Sequence, residues 1–381
     1  MSHAHMPTVL HRFIRLLALA IGLCVFGPSI AADRPQEFRV ATEGYRYEFP
    51  RDHGSHDGFR TEWWYYTGNL TTKDGRQFGY QLTFFRRGMP AEQIKTLPSK
   101  WSIAQLYLAH LAVSDLKNGQ FHFAEKLSRA GLGKAGAESN HLRVWIDRWR
   151  AEAVPDQDHQ ILSASDGNVT IQLTVAPEKP LVIHGTHGIS RKGAETGQAS
   201  HYYSFTRLAT SGTITIGDKS FEVVGTSWMD HEFGSADLGD DLVGWDWFSL
   251  QFTDQTELML YRLRRADGTA DPVSSGTFID REGTAHHLSI ADFALTPTSF
   301  WTSPTSKARY PQKWRLTIPS RQLSLELVPS MAEQELITGH STQVTYWEGA
   351  IEVNGAANGT PIKGRGYMEL TGYAERFNKK L

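Results

Sequence analysis

Two stretches of this chain repeat one another in the same order, and self-similarity limits what it can fold into more than any single motif does. Trp63-Trp64-Tyr65 through Phe84-Phe85-Arg86-Arg87 is matched by Trp245-Asp246-Trp247 through Leu260-Tyr261-Arg262. Each match reads as a Trp-rich strand, a polar turn and an aromatic strand ending in Arg. Later in each half, Gly225-Thr226-Ser227-Trp228-Met229-Asp230 is matched by Gly364-Arg365-Gly366-Tyr367-Met368-Glu369. The repeat predicts two similar antiparallel units, 38–235 and 236–378, each a barrel or a curled sheet.

The dominant hydrophobic period is two. Phe78, Tyr80, Leu82 and Phe84 alternate with Gln77, Gly79, Gln81 and Thr83, and Phe248, Leu250 and Phe252 alternate with Trp247, Ser249 and Gln251, as strands with two different faces do. Further strand-like runs cover 103–113, 169–175, 213–216, 221–225, 258–263, 314–318, 323–327 and 345–353. Hairpin signals such as Lys73-Asp74-Gly75, Asp166-Gly167-Asn168 and Ile216-Gly217-Asp218 fall between these runs. The polar stretch 185–200 reads as a loop. With 34 Gly, 11 Trp, 13 Tyr and 19 Phe, the composition suits a turn-rich, all-β chain rather than a helical one.

The first residues have a different character. Arg12 and Arg15 precede an apolar run from Leu16 to Phe26, and Ser29, Ala31 and Ala32 follow it. This is the pattern of a secretory leader over 1–32, cleaved after Ala31 or Ala32. The run is shorter than the roughly 20 apolar residues that a membrane span requires. Cys24, the one cysteine, lies in the leader behind Leu23, which makes a poor lipoprotein site. The expectation is a periplasmic or secreted protein without disulfides. Lys and Arg number 39 against 41 Asp and Glu, so no basic excess points to nucleic acid.

Several chemistries lack their motifs. Gly339-His340-Ser341-Thr342-Gln343 misses the final Gly of a nucleophile elbow. His231-Glu232-Phe233-Gly234-Ser235 misses the second His of a helical zinc motif, and Gly364-Arg365-Gly366 stops short of a dinucleotide fingerprint. What stands out is Ser227-Trp228-Met229-Asp230-His231-Glu232-Phe233-Gly234, closely followed by Gly244-Trp245-Asp246-Trp247. Tryptophans beside a carboxyl group desolvate it and raise its pKa, the condition a general acid needs near neutral pH. Asp230 is the candidate acid, with His231 to orient it, exchange protons with it or activate a water. Glu62, beside Trp63 and Trp64, supplies another acid on the repeat-related strand. Trp63, Trp64, Tyr65, Trp245 and Trp247 suit a barrel mouth or lumen that takes an elongated apolar ligand or a carbocation. His110 reads as a satisfied core histidine.

At these residues the sequence resembles the bacterial AttH and carotenoid 1,2-hydratase (CrtC) group. The resemblance rests on Thr61-Glu62-Trp63-Trp64-Tyr65-Tyr66-Thr67-Gly68, Gln81-Leu82-Thr83-Phe84-Phe85-Arg86, the 228–235 segment, Trp245-Asp246-Trp247 and the 364–372 segment. It implies two packed lipocalin-like (calycin) barrels, an active cavity near their junction, and no metal or organic cofactor. It also implies a hydro-lyase that adds water to an isolated C=C of a polyene or terpenoid lipid. A neutral acid protonates the alkene, a carbocation forms beside aromatic faces, and a deprotonated water captures it. Phe233 stands where the hydratases have Trp, and Leu263 stands where they have Asp after the tyrosine matched by Tyr261. Tyr261 and His231 therefore carry over as candidates, and Asp230 takes the acid's part. Trp228 and Phe233 join the candidate ligand-binding aromatics. Two other functions fit the same residues: a carrier of an apolar molecule working beside an envelope transporter, and a carbohydrate-active enzyme pairing Asp230 with Asp246.

Overall fold

A computed structural model describes residues 38–90, 103–195 and 197–377, so the leader expected over 1–32 lies outside the described residues. Among the described residues no helix is long and apolar enough to cross a membrane. The long elements are all strands, and the three helical pieces are 3₁₀ turns of three residues each. They form a 13-stranded sheet between Thr61 and Gly234 and a 10-stranded sheet between Leu242 and Leu370. One sheet curls until it nearly closes, and the other makes a half-barrel. The chain is therefore all-β, with two lipocalin-like barrels.

The sequence repeat is also a repeat of topology. In the first sheet the hairpin Thr61–Thr71 and Gln77–Gly88 lies beside the last strand, Lys219–Gly234, which pairs with Ala199–Ile216. In the second, the hairpin Leu242–Phe252 and Glu257–Arg265 lies beside Thr360–Leu370, which pairs with Thr345–Ala357. Turn glycines sit where the sequence places them: Gly75 (φ 84°) and Gly217 (φ 56°) occupy the left-handed region that other residues enter at a cost. The runs at 213–216 and 221–225 are only the tips of two long strands. Their other halves bury both faces and so lose the clean alternation that marks a strand in sequence. The stretch read as a loop at 185–200 contains the two-residue strand Ser190–Arg191, which pairs with the start of Ala199–Ile216.

Alternate residues of the central strands serve different cores. Trp64, Tyr66, Phe84, Leu111 and Met229 pack inside the first barrel, and Phe248, Leu250, Trp314, Trp347 and Met368 inside the second. Their neighbours Tyr65, Tyr202, Trp228, Trp247, Tyr261 and Tyr367 form a third core between the two sheets. Polar bonds cross this joint: Asn69 Nδ2 donates to Gly366 O (3.2 Å), and Gln251 Nε2 donates to Thr206 O (2.7 Å) and Ser227 O (3.0 Å). A Cβ on Gly79 would come within 2.8 Å of the Tyr367 hydroxyl and 2.9 Å of Ala350 Cβ, so a side chain there would force the sheets apart.

The strongest clamp across the joint is ionic. Lys179 Nζ and Arg207 Nε reach the fully buried Glu257 at 2.9 and 2.6 Å. Removing one partner of a buried ion pair leaves charge without compensation, at about 3–5 kcal/mol. Glu257→Gln is expected to lower the unfolding free energy by that order in urea titrations. A loss under about 1 kcal/mol would mean that the two cations find water instead.

Candidate functional site

Between the outer faces of the two sheets lies a cavity of about 300 Å³, at the lower end of the size range of small-molecule sites. Strand alternation decides what lines it. On Thr61–Thr71 the odd residues Trp63 and Tyr65 face the cavity, while Glu62, Trp64 and Tyr66 turn into the first barrel. On Lys219–Gly234, Asp230 and Glu232 face it, while Met229, His231 and Phe233 turn away. The second sheet contributes Trp245, Trp247, Tyr261, Leu263, Glu348 and Glu369.

Asp230 is 3% exposed. Its Oδ2 accepts from Tyr202 OH at 2.7 Å, and its Oδ1 accepts from Trp228 Nε1 at 2.5 Å and from Ser204 Oγ. Trp247 Nε1 donates to Tyr202 OH at 3.2 Å, which fixes that phenol. Burial pushes the Asp230 carboxyl up to about 7 even against these three hydrogen bonds, and the charge of Glu232 adds to the shift. The repeat supplies a counterpart: Glu369 matches Asp230 in the sequence alignment of the two halves, as Trp247 matches Tyr65. The ladders agree, with Tyr65 opposite Asp230 in one sheet and Trp247 opposite Glu369 in the other. Glu348 lies directly across the ladder from Glu369. Burial and the charge of Glu369 hold Glu348 well above its ordinary range, and burial with the charges of Asp230 and Glu232 pushes Glu369 up to about 7.

Arg87, Lys192 and Arg376 are the cations of the cavity lining. Lys192 Nζ lies 2.7 Å from Glu232 Oε1, 4.7 Å from the Tyr261 ring centre and 5.5 Å from that of Tyr202. Burial opposes its charge, but Glu232 prevails and the ammonium is stabilised. On another wall, His110 Nδ1 meets Tyr346 OH at 2.7 Å and Nε2 meets Ser341 Oγ at 2.9 Å. Burial lowers its pKa to about 3, so the ring is neutral, with both nitrogens satisfied.

Glu62 and His231 belong to a different arrangement, behind the cavity wall. His231 Nε2 lies 2.8 Å from Glu62 Oε1, and its Nδ1 lies 2.9 Å from Tyr203 OH. His56 bridges Glu62 Oε1 (2.7 Å) and Asp52 Oδ1 (3.1 Å), and Arg86 Nε donates to Glu62 Oε2 at 2.9 Å. Although burial opposes it, Arg86 and His56 hold Glu62 well below the usual carboxylate range. His56 is raised because the two acids outweigh its own desolvation, whereas burial leaves His231 lowered. His56, Glu62 and His231 form the one three-residue donor group among the described residues with a metal-like arrangement. Yet Glu62 Oε1 already serves both imidazoles, and a metal would share this carboxylate with the Arg86 guanidinium, so the set suits a proton network better than a cation.

Of the residues singled out in sequence, Asp230, Tyr261, Trp63, Tyr65, Trp245 and Trp247 line the cavity. Glu62, His231, Trp64 and Phe233 do not, because a one-residue step reverses the face. Trp64 stacks on His231 at 4.9 Å, and Phe233 stacks on His56 at 3.6 Å. Trp228 supports Asp230 from the joint core. Asp246 points into the second barrel, where Arg262 Nε (2.7 Å), Arg264 and Tyr373 OH (2.8 Å) hold it. It therefore shares no space with Asp230, and the paired-carboxylate arrangement of a carbohydrate-active enzyme is not formed. Glu232, Glu348, Glu369 and Lys192 escaped sequence reading. Alternation from Asp230 points to Glu232 and the repeat points to Glu369, but Glu348 emerges only from strand register.

The raised pKa of Asp230 gives a stability signature. Between the unfolded value, about 4, and about 7, the native state keeps a proton that the unfolded chain has lost. Stability therefore falls as pH rises through this window. Asp230→Asn removes the effect. Urea unfolding at a series of pH values is expected to show the variant gaining on the wild type by up to about 1.4 kcal/mol per pH unit from pH 4 to 7, then levelling off. A gap that does not change with pH would mean that Asp230 titrates alike in both states.

The AttH-like family matches residues 40–373. Among solved structures, an AttH from Nitrosomonas europaea is 33% identical over 88% of this chain and 99% of its own length, with a TM-score of 0.79. Kievitone hydratase from Nectria haematococca has the same fold at 16% identity, covering 90% of this chain and 98% of its own, with a TM-score of 0.67. CghA with Sch210972 follows at 14% identity, 83% and 90% coverage, and a TM-score of 0.52. No functionally curated sequence matches the chain. Since the family match runs from before the first hairpin to beyond the last strand, the chain belongs to the AttH-like family.

Proposed function

We propose that this protein is a cofactor-free hydro-lyase that adds water to a carbon–carbon double bond of an elongated, largely apolar molecule held between the two sheets. The carrying observation is Asp230: a buried carboxyl, poised to stay protonated near neutral pH, on the wall of an aromatic cavity. The hydratase among the chain's structural neighbours supports the reaction class, and the structure of CghA with Sch210972 supports a fold that accommodates a bound molecule. The alkene π pair takes the Asp230 proton, leaving a carbocation among Trp63, Tyr65, Trp245 and Trp247. Ring faces stabilise such charge by roughly 0.5–2 kcal/mol each. Water supplies the lone pair that closes the C–O bond, and Glu369, about half of it ionised near pH 7, takes the proton that water releases. Proton exchange with solvent through the open cavity then resets the acid and the base. Tyr261 shapes the wall, and His231 with Glu62 steadies the Asp230 strand from behind.

The leader pattern over 1–32 supports action in the periplasm or outside the cell, on a lipid of the envelope. The test is incubation of envelope lipids with the protein in oxygen-18 water, followed by mass spectrometry. A labelled hydroxyl product is expected from the wild type, with Asp230→Asn at least 10²-fold slower while its fold is kept. An unchanged lipid that co-purifies with both proteins, without label, would replace this reading with that of a carrier.

A further inference from the structure

The cavity contains an ammonium-binding arrangement that the chain itself fills and a second, larger one that it does not fill. The filled one is Lys192, held by the Glu232 carboxylate and the faces of Tyr261 and Tyr202. The other consists of Asp230, Glu348 and Glu369, with Trp63, Tyr65, Trp245 and Trp247 around them. Among the described residues no Lys, Arg or His forms an ion pair with any of these three acids, although the charge of Lys192 acts on Asp230 and Glu369 from a distance. Glu62 and Asp246, the acids turned the other way on neighbouring strands, are each met by arginine.

A second observation points to a missing partner. Glu348 is 2% exposed, yet its Oε1 has no hydrogen-bond partner. The hydroxyl of Tyr65, 6% exposed, faces the same carboxyl without a hydrogen bond of good geometry. A buried acceptor left unmade costs about 1–3 kcal/mol, and native structures leave few of them. Both atoms belong to residues that line the cavity. A neutral apolar ligand would leave Glu348 Oε1 as it is, and an anion on this side of the cavity would meet three carboxyl groups, away from Arg87 and Arg376 elsewhere in the lining. An ammonium or other organic cation satisfies the acceptor, allows the acids to ionise and lies against ring faces.

We infer that the Asp230–Glu348–Glu369 side of the cavity binds the positively charged head of an amphiphile whose apolar body lies along Trp63, Trp245 and Trp247. The inference rests on the same cavity as the hydration reading and deepens it, because the groups that hold a stable cation also hold a carbocation formed at that place.

The test uses three probes of equal chain length, dodecylammonium, dodecanol and dodecanoate, each below its micelle concentration, with binding followed by tryptophan fluorescence and calorimetry. One equivalent of dodecylammonium is expected to bind at least tenfold more tightly than dodecanol, and dodecanoate more weakly than both. In Glu348→Gln/Glu369→Gln the preference for dodecylammonium is expected to vanish while dodecanol affinity stays within threefold. If that variant fails to fold, the order of the three probes on the wild type decides alone. Equal or tighter binding of dodecanol or dodecanoate overturns the inference, as does non-saturating uptake of several equivalents. Cation preference without oxygen-18 incorporation leaves this inference standing and removes only the hydration reading.

Discussion

The structure depends on strands that bury both of their faces. In an open two-layer protein, one face of a strand meets the core and the other meets water. Here the central strands of each sheet give one face to their own barrel and the other to the opposite sheet. Polar residues on either face must then find partners within the protein. The parity of a residue along its strand decides which partners it meets. Acids that point inward, Glu62 and Asp246, meet Arg86 and Arg262 on the neighbouring strand of the same hairpin. Of the acids that point outward, Glu232 meets Lys192, while Asp230, Glu348 and Glu369 meet aromatic rings and one another. The same chemical group is thus paired with a cation on one side of the sheet and pushed toward its neutral form on the other.

This parity also explains what was legible in the sequence. The all-β class, the repeat and the hairpin turns were readable because each has a local signature: alternation, self-similarity, and glycine at left-handed positions. Asp230 and the tryptophans at 63, 245 and 247 were legible because acid and indole rings cluster in the chain itself. His231 and Glu62 belong to the same clusters, but adjacency in sequence means opposition across a pleat. To assign them, one must know which parity faces the partner sheet. Hydrophobicity does not show this where both faces are apolar. Glu348 lies 118 positions from Asp230, and nothing local links them; only the register of Thr345–Ala357 against Thr360–Leu370 does.

The cavity takes its walls from strands, and the polar groups on those walls are held from behind. Tyr202 is braced by Trp247, Ser204 by His184 Nε2 at 2.7 Å, and the Asp230 strand by the His231–Glu62–His56 network. Groups supported in this way keep their geometry when a ligand enters, a condition for acid–base chemistry on a substrate that offers few polar handles.

The correspondence of Asp230 with Glu369, and of Tyr65 with Trp247, has an evolutionary consequence. Two copies of one ancestral unit, packed outer face to outer face, would form an isologous dimer with two identical acids across a symmetric cleft. Such a cleft treats both ends of a molecule alike. In this chain the two halves differ: Glu369 is a methylene longer than Asp230, Trp247 stands where the first half has Tyr65, and Lys192 lies on one side alone. The cleft of the single chain therefore lacks the symmetry that a dimer of identical units would impose.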